Sequence, residues 1–323
     1  MTATPALAPL SPAGTHPRLA RLVEAARLRA GKRPPAVAIV HPGDVLALNA
    51  AQRIAAAGIA RPVLVGCADM IRRAADAAEV TLADYEIVAT EAAAPAAASR
   101  AVALARDGVV AGLMKGTLHT DELMSAVVHR ELGLRGTRRI SHMFLFDLPQ
   151  YHKLVALADC VVNISPDLRT KRDILSNAVD VLRNLGLSEP KIGIVTAVET
   201  VNPAIPGTVD AQSLVDLARA GEWPGTLVEG PFGFDNVISS EAARIKCIDS
   251  QVAGNADLLL MPDLNAGNML YKSFNYVGGG DCAGLVLGAR VPVVLTSRAD
   301  SQQARVASVA LATLARPERQ GNR

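Results

Sequence analysis

The chain has 323 residues, of which 50% are hydrophobic and only 3% aromatic, and its formal net charge is +2 at pH 7. This hydrophobic content excludes intrinsic disorder, and the length suits two lobes better than one simple core. The nearly balanced charge and the few aromatic residues argue against a nucleic-acid partner, which needs a strong positive field or stacking platforms.

Four widely spaced cysteines occur in the chain, with no CxxC pair and no metal-ligand spacing: Cys67, Cys160, Cys247 and Cys282. This pattern is typical of buried thiols in a reducing cytoplasm. The chain shows no signal-like opening, and its apolar run GLVLGARVPVVL is interrupted by Arg290 and Pro292. That run is too short to span a bilayer, so we expect a cytoplasmic protein with no membrane partner.

Along the chain, a small, Pro-rich and loose opening (residues 1–14) is followed by short apolar strands that alternate with alanine-rich helices. The predicted strands are AVAIV (36–40), PVLVG (62–66), YEIVA (85–89), VVAGLM (109–114), HMFLF (142–146), CVVNI (160–164), KIGIV (191–195), TLVEG (226–230), ADLLL (256–260), GLVLG (284–288) and VPVVL (291–295). Helical segments such as AAQRIAAAG (50–58), AAASRAVALARDG (96–108) and DILSNAVDVLRNLG (173–186) end in Gly, a helix stop signal. The alternation predicts a two-lobed, three-layer α/β/α protein with mostly parallel sheets.

The lobe boundaries are predicted near the arginine-rich segment LRGTRR and near residues 288–292. We expect a first α/β lobe at residues 1–138 plus 289–323, and a second α/β lobe at residues 139–288. A final helix over about residues 300–314 would return to the first lobe. The active-site cleft would lie between the two lobes.

The segment MPDLNAGNML (261–270) follows the apolar run ADLLL and turns abruptly polar. Asn and Gly supply unusual backbone angles, so the segment can be a strand-to-helix turn. The alternative is a binding rim, because open α/β folds bind ligands at the carboxyl ends of their strands. By itself the segment favours the turn.

The loop in GLMKGTLHTDEL presents Lys115, Gly116, Thr117 and His119 just before a helix. A lysine beside the free N–H groups of a helix start suits an anion. The alternative is a capped helix start, with Thr120 as the cap. The two interpretations are compatible.

The segment TSRADS follows the last strand and brings Ser297, Arg298 and Asp300 within four positions. Arginine can bind phosphate with two parallel hydrogen bonds, serine can donate to an oxyanion, and aspartate can accept a proton. The alternative is again a helix cap, with Ser297 or Asp300 opening the last helix. A further glycine-containing loop, EGPFGFDNVIS, offers Asp235 as an acid, a base or a cap.

Several common motifs are absent from the sequence. Without GxxxxGK(S/T) or a strand-linked GxGxxG, binding of ATP or of NAD by a Rossmann motif lacks support. Without GxSxG, HExxH or a His/Cys cluster, a hydrolase triad and a metal site lack support as well.

Taken in order, MKGTLHTDELM, RRISHMFLFD, EGPFGFDNVIS, VAGNADLLLMPDLNAGNMLYK and VPVVLTSRADS resemble the phosphate acetyltransferase/phosphate butyryltransferase family. The resemblance runs from about residue 35 to the C-terminus. It implies a fold like that of the isocitrate and isopropylmalate dehydrogenases, a homodimer, and interconversion of short-chain acyl-CoA plus phosphate with acyl phosphate plus CoA. The transfer would be direct within a ternary complex, with coenzyme A as a substrate and no bound cofactor.

The resemblance also implies roles for individual residues. Arg298 would bind phosphate, Ser297 would donate to the acyl oxygen or the CoA sulfur, and Asp300 would serve as the base. The remaining residues implied in binding substrate, CoA or phosphate are Lys115, Gly116, Thr117, His119, Arg139, Ser141, Asp263, Asn265, Asn268 and Lys272.

The chain departs from the acetyl-type pattern at two places. Acetyl-type members carry an arginine shortly after YK, where this chain has KSFNYVGG with Asn275 near that position. They also carry their proposed base several residues after SR, where this chain reads QQAR, and Asp300 would replace it. The acyl group therefore stays open between acetyl and butyryl, and two alternatives remain: a metal- and NAD-dependent hydroxy-acid dehydrogenase, and a CoA-binding protein without catalysis.

Overall fold

The computed structural model describes residues 16–295 and 300–316. Within these residues one continuous sheet has the strand order β3-β2-β1-β4-β11-β10-β5-β6-β9-β7-β8. The strands are β1 (Ala36–Val40), β2 (Arg61–Gly66), β3 (Glu86–Ala89), β4 (Gly112–Lys115), β5 (Ser141–Asp147), β6 (Val155–Ala158), β7 (Lys191–Val195), β8 (Leu227–Phe232), β9 (Leu258–Leu260), β10 (Asp281–Leu287) and β11 (Val293–Val294).

Helices alternate with these strands along the described part of the chain. They are α1 (Pro17–Ala30), α2 (Val45–Ala56), α3 (Ala68–Ala78), α4 (Ala94–Arg106), α5 (Thr120–Val127), α6 (Leu168–Asn184), α7 (Pro206–Arg219), α8 (Phe234–Ile238), α9 (Ser240–Ile245), α10 (Leu264–Tyr276) and α11 (Gln302–Leu314). No helix in this part of the chain is long and apolar enough to cross a membrane.

Two parallel groups of strands make up most of the sheet. The strands β3, β2, β1, β4 and β11 run parallel to one another, and so do β6, β9, β7 and β8. Between the groups, β10 is antiparallel to β11 and to β5, and β5 is antiparallel to β6. The two groups therefore run in opposite directions, and their carboxyl ends lie at opposite edges of the sheet. We call these the Lys115 edge, where β1, β4 and β11 end, and the Met261 edge, where β6, β7 and β9 end.

Helices cover both faces of the sheet, as the sequence predicts. Along β1, Val37 and Ile39 pack into a core cluster with α1, α2 and α11, whereas Ala38 and Val40 face α4 and α5. The first cluster continues to α6 and α7, and a third cluster lies between β5 with the second parallel group and the helices α8 and α10. This alternation makes the three-layer α/β/α architecture, which confirms the predicted fold class.

One predicted strand, CVVNI (160–164), is wrong. The strand at this point is β6, which ends at Ala158, and the residues after it form a loop. The backbone N–H groups of Val161 and Val162 donate to the Asp159 carboxylate at 2.9 and 3.0 Å. Because these donors face a carboxylate and not a neighbouring strand, the apolar run cannot extend the sheet.

Candidate functional site

The loops that leave β1 and β4 are tied together at the Lys115 edge. Thr117 donates to the carbonyl oxygen of His41 twice, from its backbone N–H at 3.0 Å and from Oγ1 at 2.7 Å. Gly116 lies so close to β1 that a Cβ atom there would be 2.5 Å from the carbonyl oxygen of Val40. A side chain at residue 116 would push the two loops apart, so the local packing requires glycine.

Lys115 and the start of α5 complete this loop. The Lys115 ammonium donates to the carbonyl oxygens of Leu118 at 3.0 Å and Gly116 at 3.3 Å. The helix begins at Thr120 with His119 as its N-cap, so the cap lies one residue before the predicted one. The Glu122 carboxylate accepts from the His119 backbone N–H at 2.7 Å. An ammonium group and a helix N-terminus thus share one loop, an arrangement that favours an anion.

The strand that precedes TSRADS lies beside this loop, because β11 is the parallel neighbour of β4 and Val294 pairs with Met114. Ser297 and Arg298 lie outside the described residues, so their roles stay predictions. Asp300 is described and partly exposed. The last helix is capped by Ser301, whose Oγ accepts from the Ala304 N–H at 2.9 Å. The alternative interpretation of Asp300 as the helix cap is therefore wrong.

Asp300 lies near Tyr271 of α10, which is partly buried, and near Cys282 of β10, which is buried. Partial burial raises the pKa of the Tyr271 phenol, and the carboxylate of Asp300 raises it further, against a hydrogen bond with Asn275. Burial also raises the pKa of the Cys282 thiol, and the carboxylates of Asp281 and Asp300 add to this effect. Both groups therefore stay protonated at neutral pH, and Asp300 supplies the nearby carboxylate.

The sequence analysis assigned no site role to Tyr271 or Cys282. Tyr271 directly precedes Lys272 in the MLYK segment, and this adjacency was the one available signal. Cys282 carried no signal of its own, since isolated buried cysteines are common.

An aromatic stack extends from Tyr271 of α10 along β5. The rings of Tyr271 and Phe144 are stacked, with centroids 4.0 Å apart, and the His142 ring lies 4.3 Å from Phe144 at a tilt of 57°. His142 is fully buried, and neither ring nitrogen has a hydrogen-bond partner among the residues that the structure describes. Burial lowers its pKa to about 3, so the imidazole is neutral at physiological pH.

The segment MPDLNAGNML begins at the Met261 edge and makes structural contacts there. Asp263 caps α10 by accepting from the Ala266 N–H at 3.0 Å. A Cβ atom at Gly267 would be 2.4 Å from the carbonyl oxygen of Asp159, so this turn of the helix also requires glycine. Asn268 donates to the carbonyl oxygen of Cys160 at 3.2 Å. These contacts are those of a strand-to-helix turn.

Helix α10 nevertheless connects the two edges of the sheet. Its 13 residues extend about 20 Å at 1.5 Å per residue. Its start lies at the Met261 edge, and its second half carries Tyr271 and Asn275 towards Asp300. Lys272 is exposed in this second half, and Asn265 is exposed in the first turn.

Arg139 and Ser141 lie at the amino end of β5, on the same side of the sheet as the Met261 edge. Arg139 donates from Nε to Asn163 at 3.2 Å, and the buried Ser141 hydroxyl accepts from Asn177 at 3.0 Å.

The structure thus separates the predicted site residues into two groups. Lys115, Gly116, Thr117, His119 and Asp300 share the Lys115 edge, whereas Arg139, Ser141, Asp263, Asn265 and Asn268 lie at the other edge. Ligand contacts by the second group stay predictions.

The other acidic residue considered as an acid or base, Asp235, is occupied by an ion pair. Asp235 is exposed and lies 3.0 Å from the Lys246 ammonium. Within residues 16–295 and 300–316, no group of three or more His, Cys, Asp or Glu side chains is placed to hold a metal ion. The described residues therefore give the metal-dependent dehydrogenase alternative no support.

Comparisons with known proteins define the class. A family model described as "phosphate acetyl/butaryl transferase" matches residues 89–313. The chain is 49% identical over 295 residues to a phosphate acetyltransferase of Rhizobium meliloti, a match that covers 91% of this chain and 92% of the relative. It is 37% identical over 278 residues to a phosphate butyryltransferase of Clostridium acetobutylicum, covering 86% and 92%.

Comparison with solved structures gives the same class of protein. A branched-chain phosphotransacylase from Enterococcus faecalis V583 superposes with a TM-score of 0.77 at 29% identity, covering 87% of this chain and 98% of that chain. The fold and these matches define an acyltransferase. The chain belongs to the phosphate acetyl/butyryl transferase family.

A dehydrogenase of known structure has a similar fold. The 4-hydroxythreonine-4-phosphate dehydrogenase from Klebsiella pneumoniae superposes with a TM-score of 0.52 at 16% identity, covering 87% of this chain and 99% of that chain. At this identity the likeness concerns the fold alone. It confirms the predicted resemblance to dehydrogenase architecture.

Proposed function

We propose that the protein transfers an acetyl group between coenzyme A and inorganic phosphate, interconverting acetyl-CoA plus phosphate with acetyl phosphate plus CoA. The observation that carries this proposal is the 49% identity, over nearly the whole of both chains, to a relative named phosphate acetyltransferase. The relative named phosphate butyryltransferase is less similar, at 37% identity.

In the proposed reaction, Asp300 accepts the proton of the CoA thiol. The resulting thiolate attacks the acyl carbonyl of acetyl phosphate, the bond from the acyl carbon to the phosphate oxygen breaks, and phosphate leaves. A free thiol has a pKa of about 8.5, so a nearby base raises the thiolate fraction at neutral pH. Arg298 would neutralise the phosphate and Ser297 would donate to the oxyanion, as the family resemblance implies.

Direct transfer within a ternary complex is supported by the protonation states around Asp300. A covalent acyl-enzyme would need a reactive nucleophile at this position. The neighbouring Cys282 thiol is buried and has a raised pKa, and the pKa of the partly buried Tyr271 phenol is raised as well. Neither group supplies the anion that attacks a carbonyl at neutral pH.

We assign anion binding to the loop of Lys115, Gly116 and Thr117 with the helix start at His119. Support comes from the ammonium group and the helix N-terminus in one loop, and from the parallel pairing that puts β4 beside β11. Phosphate or the diphosphate of CoA would bind there.

We also propose that residues 1–138 with 289–323 and residues 139–288 act as two lobes, and that the protein is a homodimer in the cytoplasm. The change of strand direction at β10 and β5 supports the division. Exposed apolar residues at and just after the end of α10, Tyr276 and Val277, suit burial against a second copy. Sedimentation analysis tests the dimer. The expectation of four buried thiols holds for Cys160 and Cys282 only, since Cys67 is partly exposed and Cys247 is exposed.

The test of function is release of free thiol from acetyl-, propionyl- and butyryl-CoA, with and without phosphate. We expect phosphate-dependent release that is fastest with acetyl-CoA. A preference for butyryl-CoA would change the assigned substrate, and no release with any acyl-CoA would identify a binding protein. Oxidation of a hydroxy acid that needs NAD and stops with a chelator would identify the dehydrogenase alternative.

The role of Asp300 is tested by Asp300→Asn, with Ser301→Ala as its matched control. Loss of the base should lower kcat about 10²-fold or more, and the loss should shrink as the pH approaches about 8.5, where thiolate forms without help. Ser301→Ala removes the helix cap and should cost about 1 kcal/mol of stability while leaving the pH profile of kcat unchanged. An Asp300→Asn enzyme with normal kcat at neutral pH would exclude Asp300 as the base.

A further inference from the structure

A cavity of about 1320 Å³ lies at the Met261 edge of the sheet, opposite the Lys115 edge. It is bounded by the amino ends of β1, β4 and β11, by the carboxyl end of β10, and by the last turns of α1 and α11. Its volume exceeds the roughly 300–1,000 Å³ that is usual for small-molecule sites. A single inorganic phosphate would leave most of this space unfilled.

The charged residues of this cavity have a marked bias. Among the described residues it is lined by one acidic residue, Asp180, by no lysine, and by six arginines: Arg29, Arg33, Arg61, Arg138, Arg290 and Arg316. The whole chain carries 33 basic and 31 acidic residues, so this excess is local and not a property of the surface. We call this site the arginine cavity. Clustered charge of one sign in a concave site concentrates the field that attracts an anion.

Some of these arginines have structural partners. Arg29 donates to the backbone carbonyl of Arg316 at 2.6 Å, which joins the ends of α1 and α11. Arg138 pairs with Asp180 at 2.5 Å, and both side chains are about half exposed. Exposed pairs of this kind contribute little stability, so an incoming anion can replace the carboxylate at low cost.

Two arginines keep their guanidinium groups available. Arg33 and Arg290 are exposed and take part in no ion pair within residues 16–295 and 300–316. Within the described part of the chain, the Arg290 side chain makes a long hydrogen bond of 3.4 Å to the carbonyl oxygen of Arg135. Both groups can therefore bind a ligand without breaking an ion pair.

We propose that the arginine cavity binds an organic or inorganic anion that carries two or more phosphate groups, at a site separate from the acyl-transfer site. Arginine presents a planar fork that matches phosphate with two hydrogen bonds, and the absence of lysine from the lining fits this geometry. Several phosphates are needed to engage guanidinium groups on different elements at once. The lining has no aromatic side chain, so recognition rests on the phosphates.

The position of the cavity separates it from Asp300. Helix α11 starts next to Asp300 and ends at Leu314, next to the cavity residues Thr313 and Arg316. Its 13 residues place the two sites about 20 Å apart. An anion bound in the cavity contacts the far end of the helix whose start follows Asp300. This gives the anion a physical route to influence activity without contacting the substrates.

The proposal is tested by titration calorimetry of the full-length protein with tripolyphosphate, and separately with ATP. The test variant is Arg33→Ala with Arg290→Ala. The matched control is Arg219→Ala with Arg244→Ala, which removes the same charge from exposed residues of α7 and α9 that do not line the cavity. We expect the test variant to bind tripolyphosphate at least 10-fold more weakly than the wild type, and the control to bind within 2-fold of it. Binding of the wild type should also weaken as salt rises.

Further arms distinguish the kind of ligand and the kind of site. ATP binding that is tighter than tripolyphosphate binding and is lost in the test variant identifies a nucleotide ligand, whereas binding of tripolyphosphate alone identifies an inorganic one. Replacing both arginines by lysine should weaken binding, because the charge remains but the fork is lost. Circular dichroism checks the folding of each variant.

Three outcomes would overturn the proposal. The first is that the wild type does not bind tripolyphosphate. The second is that the wild type and the test variant bind tripolyphosphate equally well. The third is a raised KM for CoA or phosphate in the test variant. The third outcome would make the cavity part of the substrate site. Because calorimetry needs no turnover, failure of the proposed acetyl transfer would leave this test intact.

Discussion

Lowering the pH from 7 to 5 is expected to destabilise the protein through His142. This residue is fully buried on β5, its two ring nitrogens lack hydrogen-bond partners, and burial lowers its pKa from 6.5 to about 3. The unfolded chain therefore binds a proton before the folded protein does. The contribution of the neutral His142 to the free energy of unfolding is fully present above about pH 6.5. This contribution is lost progressively as the pH falls from there towards 3.

The magnitude follows from the gap between the pH and the pKa of the unfolded state. At pH 5 the imidazole of the unfolded chain is mostly charged, while the buried imidazole is still neutral. Each unit of difference corresponds to about 1.4 kcal/mol, so the stability lost at pH 5 is about 2 kcal/mol. Because pH 5 lies well above the folded pKa, this figure depends mainly on the unfolded value.

The assay is urea unfolding followed by circular dichroism at pH 7 and pH 5, for the wild type and for His142→Leu. The wild type should lose about 2 kcal/mol more than the variant between the two pH values. His142→Gln serves as a second neutral replacement, and the exposed His152→Leu is the control for removal of a histidine. An equal pH dependence in the wild type and both His142 variants would refute the reasoning.

Three further predictions concern the loops. Gly116→Ala forces a Cβ atom to 2.5 Å from a carbonyl oxygen, so it should cost about 1–3 kcal/mol of stability and lower activity, as measured by thermal unfolding and thiol release. Asp263→Ala removes the cap of α10 and should cost about 1 kcal/mol with specific activity preserved; lost activity in fully folded protein would instead make Asp263 a ligand-binding residue. Arg298→Lys keeps the charge but loses the two-point contact with phosphate, so kcat/KM for phosphate should fall several-fold. Unchanged kinetics at subsaturating phosphate would remove Arg298 from the site.

The failure at CVVNI shows the limit of hydrophobic runs as a predictor of strands. The run is as apolar as its neighbours, but the buried carboxylate of Asp159 captures the backbone donors that a strand would use. The true strand, β6, lies just before it and pairs with β5 and β9. Which apolar run joins the sheet depends on partners that are distant in the sequence.

In the candidate site as well, local features could be predicted from the sequence and long-range contacts could not. Adjacent residues such as Lys115, Gly116 and Thr117 were found from the sequence, because a loop before a helix start is a local feature. The grouping of Tyr271 and Cys282 with Asp300 could not be found in this way. These residues belong to α10, to β10 and to the segment before α11, and only packing brings them together.

The sequence by itself determined the fold class, because strand and helix periodicities and Gly stop signals act over a few neighbouring residues. It also determined the family, through several motifs in a fixed order. Only the tertiary structure decided the strand directions, since pairing across β10 and β5 joins residues far apart in the chain. That reversal sends the loops of the two parallel groups to opposite edges. It separates Lys115 and Asp300 from Asp263 and Asn268, which the motifs alone had grouped into one site.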